Sequence, residues 1–199
     1  MPNTAPTPTL LGGRLAVDFA NAPGQPGASL HELAWDEFVG FLEAGHIVSP
    51  ERGANLLSLP RTDAQAADAL LSRSVRLREA LRKAFQAIIR HERISADWVE
   101  PVNEILRITE GHDELGFDGT NWKLEFIARE GGLDWLLAAI ARSAAETIME
   151  GPQARLRLCA NPGCGLFFCD TSRTRRRRWC SMQVCGNRHK VASFARRHG

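Results

Sequence analysis

The sequence predicts a mainly helical protein in two parts. A helical N-terminal domain with a small β-hairpin is followed by a compact C-terminal module of a β-hairpin and a helix. Three observations lead to this fold class. Apolar residues recur every three or four positions through much of the first 150 residues, as in amphipathic helices. All five cysteines lie after residue 158, and the two parts carry opposite charge.

Length and composition indicate a globular protein with a core. A chain of 199 residues has room for one or two domains, and 44% hydrophobic residues can build a core. The start of the chain lacks the pattern of a secretion signal, and no apolar run reaches the ~20 residues of a membrane helix. We therefore expect a cytoplasmic protein, in which thiols stay reduced.

The N-terminal domain is predicted to span residues 10–150. Residues 1–9 hold three prolines and three threonines, so we expect a disordered lead-in. Residues 10–21 form an apolar run broken by two glycines, before a Pro/Gly loop at 22–28. Ser29 and Ser49 are candidate N-caps, and the longest helix carries an apolar stripe from Leu70 to Ile88. The four predicted helices cover residues 29–45, 49–59, 62–91 and 95–109.

A hairpin and one more helix complete this domain. Residues 111–119 are predicted as a loop. Residues 122–128 alternate apolar and polar side chains, which indicates a strand that pairs in a hairpin with residues 115–118. A helix follows the glycines at 131–132, and Gly151-Pro152 end it and mark the domain boundary.

The C-terminal module is predicted to span residues 151–199. Residues 155–159 and 166–169 read as short extended segments, and residues 186–197 as a helix with Val191 and Phe194 facing inward. A module of this size is too small to bury a core without help. Zinc binding would supply most of its folding free energy, on the order of 10 kcal/mol or more.

The missing stabilisation is predicted to come from two cysteine pairs, Cys159/Cys164 and Cys180/Cys185. The spacing within each pair is the same, and fifteen residues separate the pairs. Such spacing predicts a closed four-thiolate zinc site, a zinc finger. Cys169 lies in an apolar run, and we predict that it is not a ligand. Two alternatives stay open: a disulfide or plain buried thiols, which a reducing compartment disfavours, and an iron–sulfur centre, because four thiolates do not choose the metal.

Charge is concentrated in the same module. Residues 159–199 hold nine Lys or Arg and one acid, which makes +8 here and −6 in the first 158 residues. Residues 172–178, the arginine loop, contain five of these arginines. Zinc bound by four thiolates carries a net charge of −2, and offsetting this charge would explain one or two of the arginines. Contact with phosphate groups would explain all five. The candidate nucleic-acid contacts are Arg173, Arg175, Arg176, Arg177, Arg178, Arg188, Lys190, Arg196 and Arg197.

The residues after the last cysteine suggest structural roles. Gly186 lets the backbone come close and donate an N–H to a thiolate. Asn187 is expected to cap the following helix or to hold the cysteine knuckle in shape, and Trp179 to form the core of the finger. Base reading by Asn187 and Arg188 is a less favoured alternative.

Two stretches carry a family resemblance. Cys-Gly-Asn-Arg at 185–188, preceded by Arg-Arg-Trp-Cys-Ser-Met at 177–182, resembles the bacterial CGNR zinc-finger family. Leu-Ala-Val-Asp-Phe-Ala-Asn at 15–21 and Leu-Arg-Glu-Ala-Leu-Arg at 77–82 resemble the ABATE domain that accompanies this finger. The resemblance implies a stress-induced transcription regulator with a C-terminal zinc-binding DNA module. It also implies that one structural zinc is bound by Cys159, Cys164, Cys180 and Cys185.

A regulator needs an input, and Arg78 is the informative residue. It lies at the apolar edge of the longest predicted helix, so it needs a partner. The first interpretation is an internal salt bridge to Asp18 or Glu79. The alternative is a pocket for a small polar or anionic ligand, lined by Asp18, Asn21, Arg78 and Asn103.

Enzyme classes find little support, and we expect no catalytic residues. His-Glu pairs at 31–32 and 91–92 begin like a zinc-protease helix, but Trp35 and Ser95 stand where the second histidine is required. A closed four-thiolate site leaves zinc no open position for water. The leading hypothesis is a DNA-binding regulator with a ligand-sensing body. The alternatives are an RNA-binding protein, and a protein–protein adaptor whose finger is purely structural.

Overall fold

The computed structural model describes residues 9–22, 32–117, 119–129 and 132–198, so most of the predicted lead-in and Pro/Gly loop lie outside it. The predicted mainly α fold with two small hairpins is confirmed. The elements are α1 Leu15–Asn21, α2 Trp35–Ala44, α3 Pro50–Thr62, α4 Ala64–Arg90, α5 Ala96–Ile108, β1 Gly111–Phe117, β2 Trp122–Ala128, α6 Ala138–Glu150, β3 Leu156–Leu158, β4 Phe167–Cys169 and α7 Asn187–His198.

Side-chain caps determine where three of the helices begin. The Ser49 hydroxyl accepts a hydrogen bond from a first-turn amide of α3, and the Asp63 carboxylate does the same for α4. Ser95 caps α5. α2 begins at Trp35, and its predicted cap Ser29 lies outside the described residues. A 3-10 turn at Asp134–Leu137 leads into α6.

The 27-residue helix α4 runs through the middle of the N-terminal domain, called the body below. Its predicted apolar stripe is buried, and α1, α3 and α5 pack against it. Burial of each large apolar side chain contributes about 1.5–3 kcal/mol relative to exposure. In the described part of the chain, none of the helices has both the length and the apolar character to traverse a bilayer. The buried stripe consists of Leu70, Leu77, Leu81, Phe85 and Ile88.

The apolar run at residues 10–21 contains a helix, α1, that its two glycines obscure in the sequence. Gly12 and Gly13 precede α1 and do not interrupt it. Gly13 has a φ of +79°, and a Cβ on Gly12 would lie 2.8 Å from the Asp18 amide nitrogen. The glycines therefore let the chain fold back tightly onto the first turns of α1.

The hairpin pairing predicted for residues 115–118 is confirmed at residues 115–117, whereas the loop predicted before it is wrong because the strand begins at Gly111. β1 pairs antiparallel with β2 from Gly111 opposite Ala128 to Phe117 opposite Trp122. The rings of Phe117 and Trp122 contact each other near the turn, with centroids 5.1 Å apart. β1 is exposed along almost all of its length. Because neither face of β1 is buried, its sequence shows no alternation of apolar and polar residues.

The C-terminal module, called the finger below, shares the core of the body. β3 pairs antiparallel with β4, and side chains on β4 alternate in direction. Phe167 and Cys169 join the main core, where the Phe167 ring meets Phe85 edge to face at 6.0 Å. Phe168 packs with the cysteine cluster. The domain boundary predicted at residue 150 stays a prediction. β4 packs against α1 of the body and against β3 of the finger.

Helix α7 does not pack as predicted. Val191 and Phe194, expected to face inward, are 70% and 61% exposed. α7 packs chiefly on the π-helical turn at Met182–Gly186 that leads into it. The finger is too small to offer this helix a second apolar surface, so α7 presents polar and apolar side chains alike to solvent.

Candidate metal centre and nucleic-acid interface

Four cysteine Sγ atoms meet in the finger. Those of Cys159, Cys164, Cys180 and Cys185 all lie within 4.8 Å of one another, and the four residues are buried. The Cys164–Cys180 Sγ distance is 3.6 Å and the Cys180–Cys185 Sγ distance is 3.7 Å. The first pair follows β3, and the second pair lies at the π-helical turn before α7.

These distances fit a tetrahedral zinc site. Sulfur atoms ~2.3 Å from zinc stand about 3.8 Å apart at the corners of a tetrahedron, close to the two distances above. A disulfide requires ~2.05 Å, and all five cysteines are free thiols. The four buried sulfurs are therefore positioned to bind one metal ion, and the prediction of one structural zinc is confirmed.

Hydrogen bonds to sulfur support thiolate ligands. The Cys180 amide donates to Cys159 Sγ, and Asn161 Nδ2 donates to Cys185 Sγ, both at 3.5 Å. Interaction with the Cys159 thiol, then with Cys164, together with burial, raises the pKa of Cys180. Four thiolates so close together repel one another. A cation is therefore needed to stabilise them, and metal binding must displace protons.

Cys169 is held away from this cluster by the direction of its side chain on β4. Its amide donates to the Gly12 carbonyl at 2.8 Å, and its side chain lies in the main core. Burial raises the pKa of the Cys169 thiol, which favours the neutral form. The structure thus brings together the four predicted ligands and leaves the fifth cysteine outside.

The residues after the last ligand cysteine shape the second knuckle. A Cβ on Gly186 would lie 2.9 Å from the Met182 Sδ, so a larger residue here would displace the end of the flexible Met182 side chain. The predicted donation by Gly186 to a thiolate is wrong, because its amide donates to the Ser181 carbonyl at 3.0 Å. Asn187 Nδ2 donates to the Gln183 carbonyl at 2.9 Å and so holds the knuckle, one of its two predicted roles.

Asp170 organises the arginine loop, a role that we did not predict. Its carboxylate is 1% exposed and accepts hydrogen bonds from the Ser172 amide and hydroxyl and from the Arg177 amide. It also pairs with Arg157 Nε at 3.0 Å. Burial acts to raise the pKa of Asp170, but the hydrogen bonds and Arg157 outweigh it and lower the pKa. Its position as the lone acid in a strongly basic segment was the available signal.

The five arginines of the loop fall into two groups. Arg177 is half-buried, and its guanidinium donates to the carbonyls of Trp179 and Cys180 and lies 4.6 Å from the Phe168 ring centroid. This arginine therefore stabilises the finger itself. Trp179 is buried in the cysteine cluster, as predicted. The other four arginines are exposed: Arg173, Arg175, Arg176 and Arg178.

The remaining predicted contacts lie on α7. Arg188 and Lys190 are exposed on its first turns, next to the zinc knuckle. Arg196 and Arg197 belong to the same helix, and their side chains lie outside the described part of the chain. The exposed cations of the arginine loop and of α7 are thus carried by one small module.

Two of the four candidate pocket residues bond to backbone groups. The buried Asp18 carboxylate accepts from the Gly12 amide at 2.6 Å. Burial raises the pKa of Asp18, and backbone hydrogen bonds, that of Gly12 first, oppose the rise. Asn21 Nδ2 donates to the Phe167 carbonyl, and Asn21 Oδ1 accepts from the Phe167 amide. Asn21 therefore ties the end of α1 to the finger, whereas Asp18 holds the turn before α1.

The other two candidates lie on α4 and α5. Arg78 is 6% exposed; burial lowers its pKa, while the carboxylates of Glu79 and Glu37 act to raise it. Asn103 is half-buried. A shared ligand pocket for these two residues with Asp18 and Asn21 stays a prediction.

The chain matches two family models, one over the finger and one over the body. Residues 155–198 match the family described as "CGNR zinc finger", and residues 13–151 match ABATE, described as "Putative stress-induced transcription regulator". Neither description names an enzyme activity. Among curated proteins, no match was found. Because the second match covers well over half of the chain, the protein belongs to the ABATE family of regulators and carries a C-terminal CGNR zinc finger.

Proposed function

We propose that this regulator binds DNA through its finger, and that the body transmits a signal to that finger. The observation that carries the proposal is the set of four exposed arginines on a loop that a buried carboxylate anchors beside the zinc site. Guanidinium groups are planar donors that match phosphate oxygens. Contacts of this kind position a protein on the nucleic-acid backbone.

The arginine loop is ordered before any partner binds. Asp170 accepts hydrogen bonds from both ends of the loop, at Ser172 and Arg177. Arg157 Nη2 donates to the Arg175 carbonyl at 2.7 Å. Because the backbone of the loop is already held, binding a phosphate costs less conformational entropy than ordering a flexible loop.

The charge of the metal centre accounts for only one of the loop arginines. Zinc with four thiolates carries −2, and nearby cations offset this charge. Arg177 lies against the finger core, bonded to the carbonyl of the ligand Cys180, so it serves that role. The four exposed arginines of the loop and the exposed Lys190 on α7 can be reached by an external polyanion.

The body contacts the finger directly, which provides a route for a signal. Arg82 on α4 donates to the Ala20 carbonyl at 2.9 Å and to the Gly165 carbonyl at 3.3 Å, and so bridges α1 and the finger. Burial, with the positive charge of Arg78, lowers the pKa of Arg82 to about 10. A movement of α1 or α4 would therefore shift the segment that carries the first cysteine pair.

The test is binding of the zinc-loaded protein to labelled nucleic acid over a range of salt. For DNA, the logarithm of the affinity should fall linearly with the logarithm of salt concentration, with a slope of about −0.9 for each phosphate contact. Selection from random duplexes would then define a site. Preference for RNA in competition supports an RNA-binding protein instead, and absence of binding at low salt overturns the proposal in favour of an adaptor.

A further inference from the structure

A basic cleft lies where the body meets the finger. The end of α4, the strand β3 and the arginine loop enclose a volume of about 490 Å³. This volume falls within the ~300–1,000 Å³ of small-molecule sites. We call it the junction cleft. Its position differs from that of the pocket predicted around Asp18, and neither family description assigns it a role.

Part of the junction cleft is apolar. Ile89 from the last turn of α4, Pro152 from the turn after α6 and Leu158 at the end of β3 line it. Leu158 is 44% exposed, which is unusual for a leucine on a strand whose neighbours enter the core. An apolar group placed here would remove this surface from water.

Another part is cationic. Arg155, Arg175 and Arg178 line it, and within the described residues none of the three forms a salt bridge. Arg157 and Arg177 also line the cleft, but Asp170 offsets the charge of Arg157, and the guanidinium of Arg177 bonds to carbonyls of the finger. The guanidinium of Arg178 lies 5.2 Å from the Trp179 ring centroid, and three arginine residues that line one space favour a ligand with two negative charges.

The backbone of the cleft is held in an uncommon conformation. Four non-glycine residues of the described chain have positive φ, and three of them line this cleft: His91 at 57°, Arg155 at 52° and Arg175 at 53°. Such residues cluster at ligand sites, where surrounding contacts enforce the strain. The Arg155 carbonyl accepts from the Asp170 amide, and the Arg175 amide donates to the Ser172 carbonyl. These bonds hold the two arginines at the edge of the cleft.

The end of α4 does not oppose an anion strongly. Carbonyl groups at a helix C-terminus normally repel negative charge. Here the Ala87 carbonyl accepts from the Glu92 amide, and the Ile88 carbonyl accepts from the His91 amide, because His91 turns the chain back. The three arginines therefore dominate the field in the cleft.

From this arrangement we infer that the junction cleft binds a small phosphate monoester with an apolar body. The dianionic phosphate contacts Arg155, Arg175 and Arg178, and the apolar body lies over Ile89, Pro152 and Leu158. A backbone phosphodiester of nucleic acid shares the phosphate chemistry, but it carries one charge and presents no apolar group on the phosphate. The preferred occupant is therefore a small molecule and not a strand.

Occupation of the cleft would also regulate the finger. Arg175 and Arg178 belong both to the cleft and to the exposed loop that we propose contacts DNA. A bound phosphate monoester would hold these two arginines and compete with DNA for them. This step rests on the proposed function, whereas binding of the small molecule does not.

The experiment is calorimetric titration of the zinc-loaded full-length protein with phenyl phosphate at constant ionic strength, without nucleic acid. Inorganic phosphate and phenol are titrated in parallel. We expect phenyl phosphate to bind at least about tenfold more tightly than either, because only it contacts both the arginines and the apolar residues of the cleft. Arg155→Gln/Arg175→Gln should weaken it by about tenfold or more. Arg173→Gln/Arg176→Gln, which removes the same charge from outside the cleft, should change it less than about threefold. Zinc content and melting temperature confirm that both variants are folded.

Several outcomes overturn the inference. Equal binding of phenyl phosphate and inorganic phosphate shows a counter-ion only, and equal weakening by both double variants shows diffuse attraction without a site. Absence of saturation up to about 10 mM shows that no such site exists. With a labelled DNA duplex present, phenyl phosphate should displace the DNA at concentrations near its own dissociation constant. If the protein binds no DNA, the direct titration still decides whether the site exists, so the two failures are distinguishable.

Discussion

The side-chain amide of Asn21 pairs with the backbone of Phe167 through two hydrogen bonds, each 2.8 Å long. Asn21 is the last residue of α1 and Phe167 the first of β4. Both bonds are buried, and they join two segments that are 146 residues apart in the chain. The pairing therefore closes the body against the finger.

Replacing Asn21 with leucine should lower the free energy of unfolding by about 2–4 kcal/mol, since a buried amide and a buried carbonyl of Phe167 lose their partners. Urea unfolding monitored by tryptophan fluorescence measures the change. Asn103→Leu, on the half-buried side of α5, is the matched control and should change stability by less than about 1 kcal/mol. An equal effect of both substitutions would show that the pairing adds nothing specific.

The choice of ligands leads to a second prediction. Cys180→Ser removes one of four clustered sulfurs and should abolish stoichiometric zinc and unfold the finger. Cys169→Ser should retain one zinc per chain and lose only core stability, because this thiol lies on the body side of β4. Elemental analysis of the purified variants decides the matter. Comparable zinc loss in both would contradict the ligand set.

Asp18 predicts a pH dependence. Burial raises its pKa above the ~3.9 of an unfolded aspartate, so the folded state binds this proton more tightly than the unfolded state does. The stability that protonation contributes is full below the unfolded pKa and is lost as pH rises through the folded pKa. Over the pH range above the unfolded value of about 4, the wild type should therefore lose stability relative to Asp18→Asn. Unfolding measured for both proteins across this range is the check, and the opposite trend would mean that the pKa is lowered.

The two groups of loop arginines should separate experimentally. Arg175→Gln/Arg176→Gln should weaken DNA binding and reduce the magnitude of the salt slope by about two, because two phosphate contacts are lost. Arg177→Gln should instead destabilise the finger by about 1–3 kcal/mol, since two carbonyls lose a charged donor. Fluorescence anisotropy and thermal melting measure the two effects. If Arg177→Gln changes only the affinity, its contacts within the finger are not stabilising.

The parts of the fold that the sequence predicted well are those encoded locally. The stripe of α4 from Leu70 to Ile88 repeats at helical spacing, and the predicted cap Ser49 acts on an amide three residues away. Residues 111–114 of β1 escaped prediction because they are exposed, so pairing with β2 creates this part of the strand and no burial pattern marks it.

The residues of the candidate site also divide into those that a local sequence pattern marks and those that only tertiary contacts define. The two cysteine pairs stand out by spacing because metal geometry acts over a few residues on each side. Asp170 was not identified, since its role depends on Arg157 on β3 and on amides of a loop that folds back over it. The inward packing expected of Val191 and Phe194 was wrong because helical spacing identifies a face but not the surface that covers it.

The sequence by itself determined the helical body, the four-sulfur site and the cationic loop, because each follows from periodicity, spacing or composition along a short stretch of chain. Only the tertiary structure decided that Cys169 faces the core, that Asn21 bonds to β4, and that Arg155 and Arg175 line one cleft with the end of α4. These relationships join residues distant in the chain. They arise when buried polar groups must find partners and apolar faces must be covered, which depends on the packing of the whole fold.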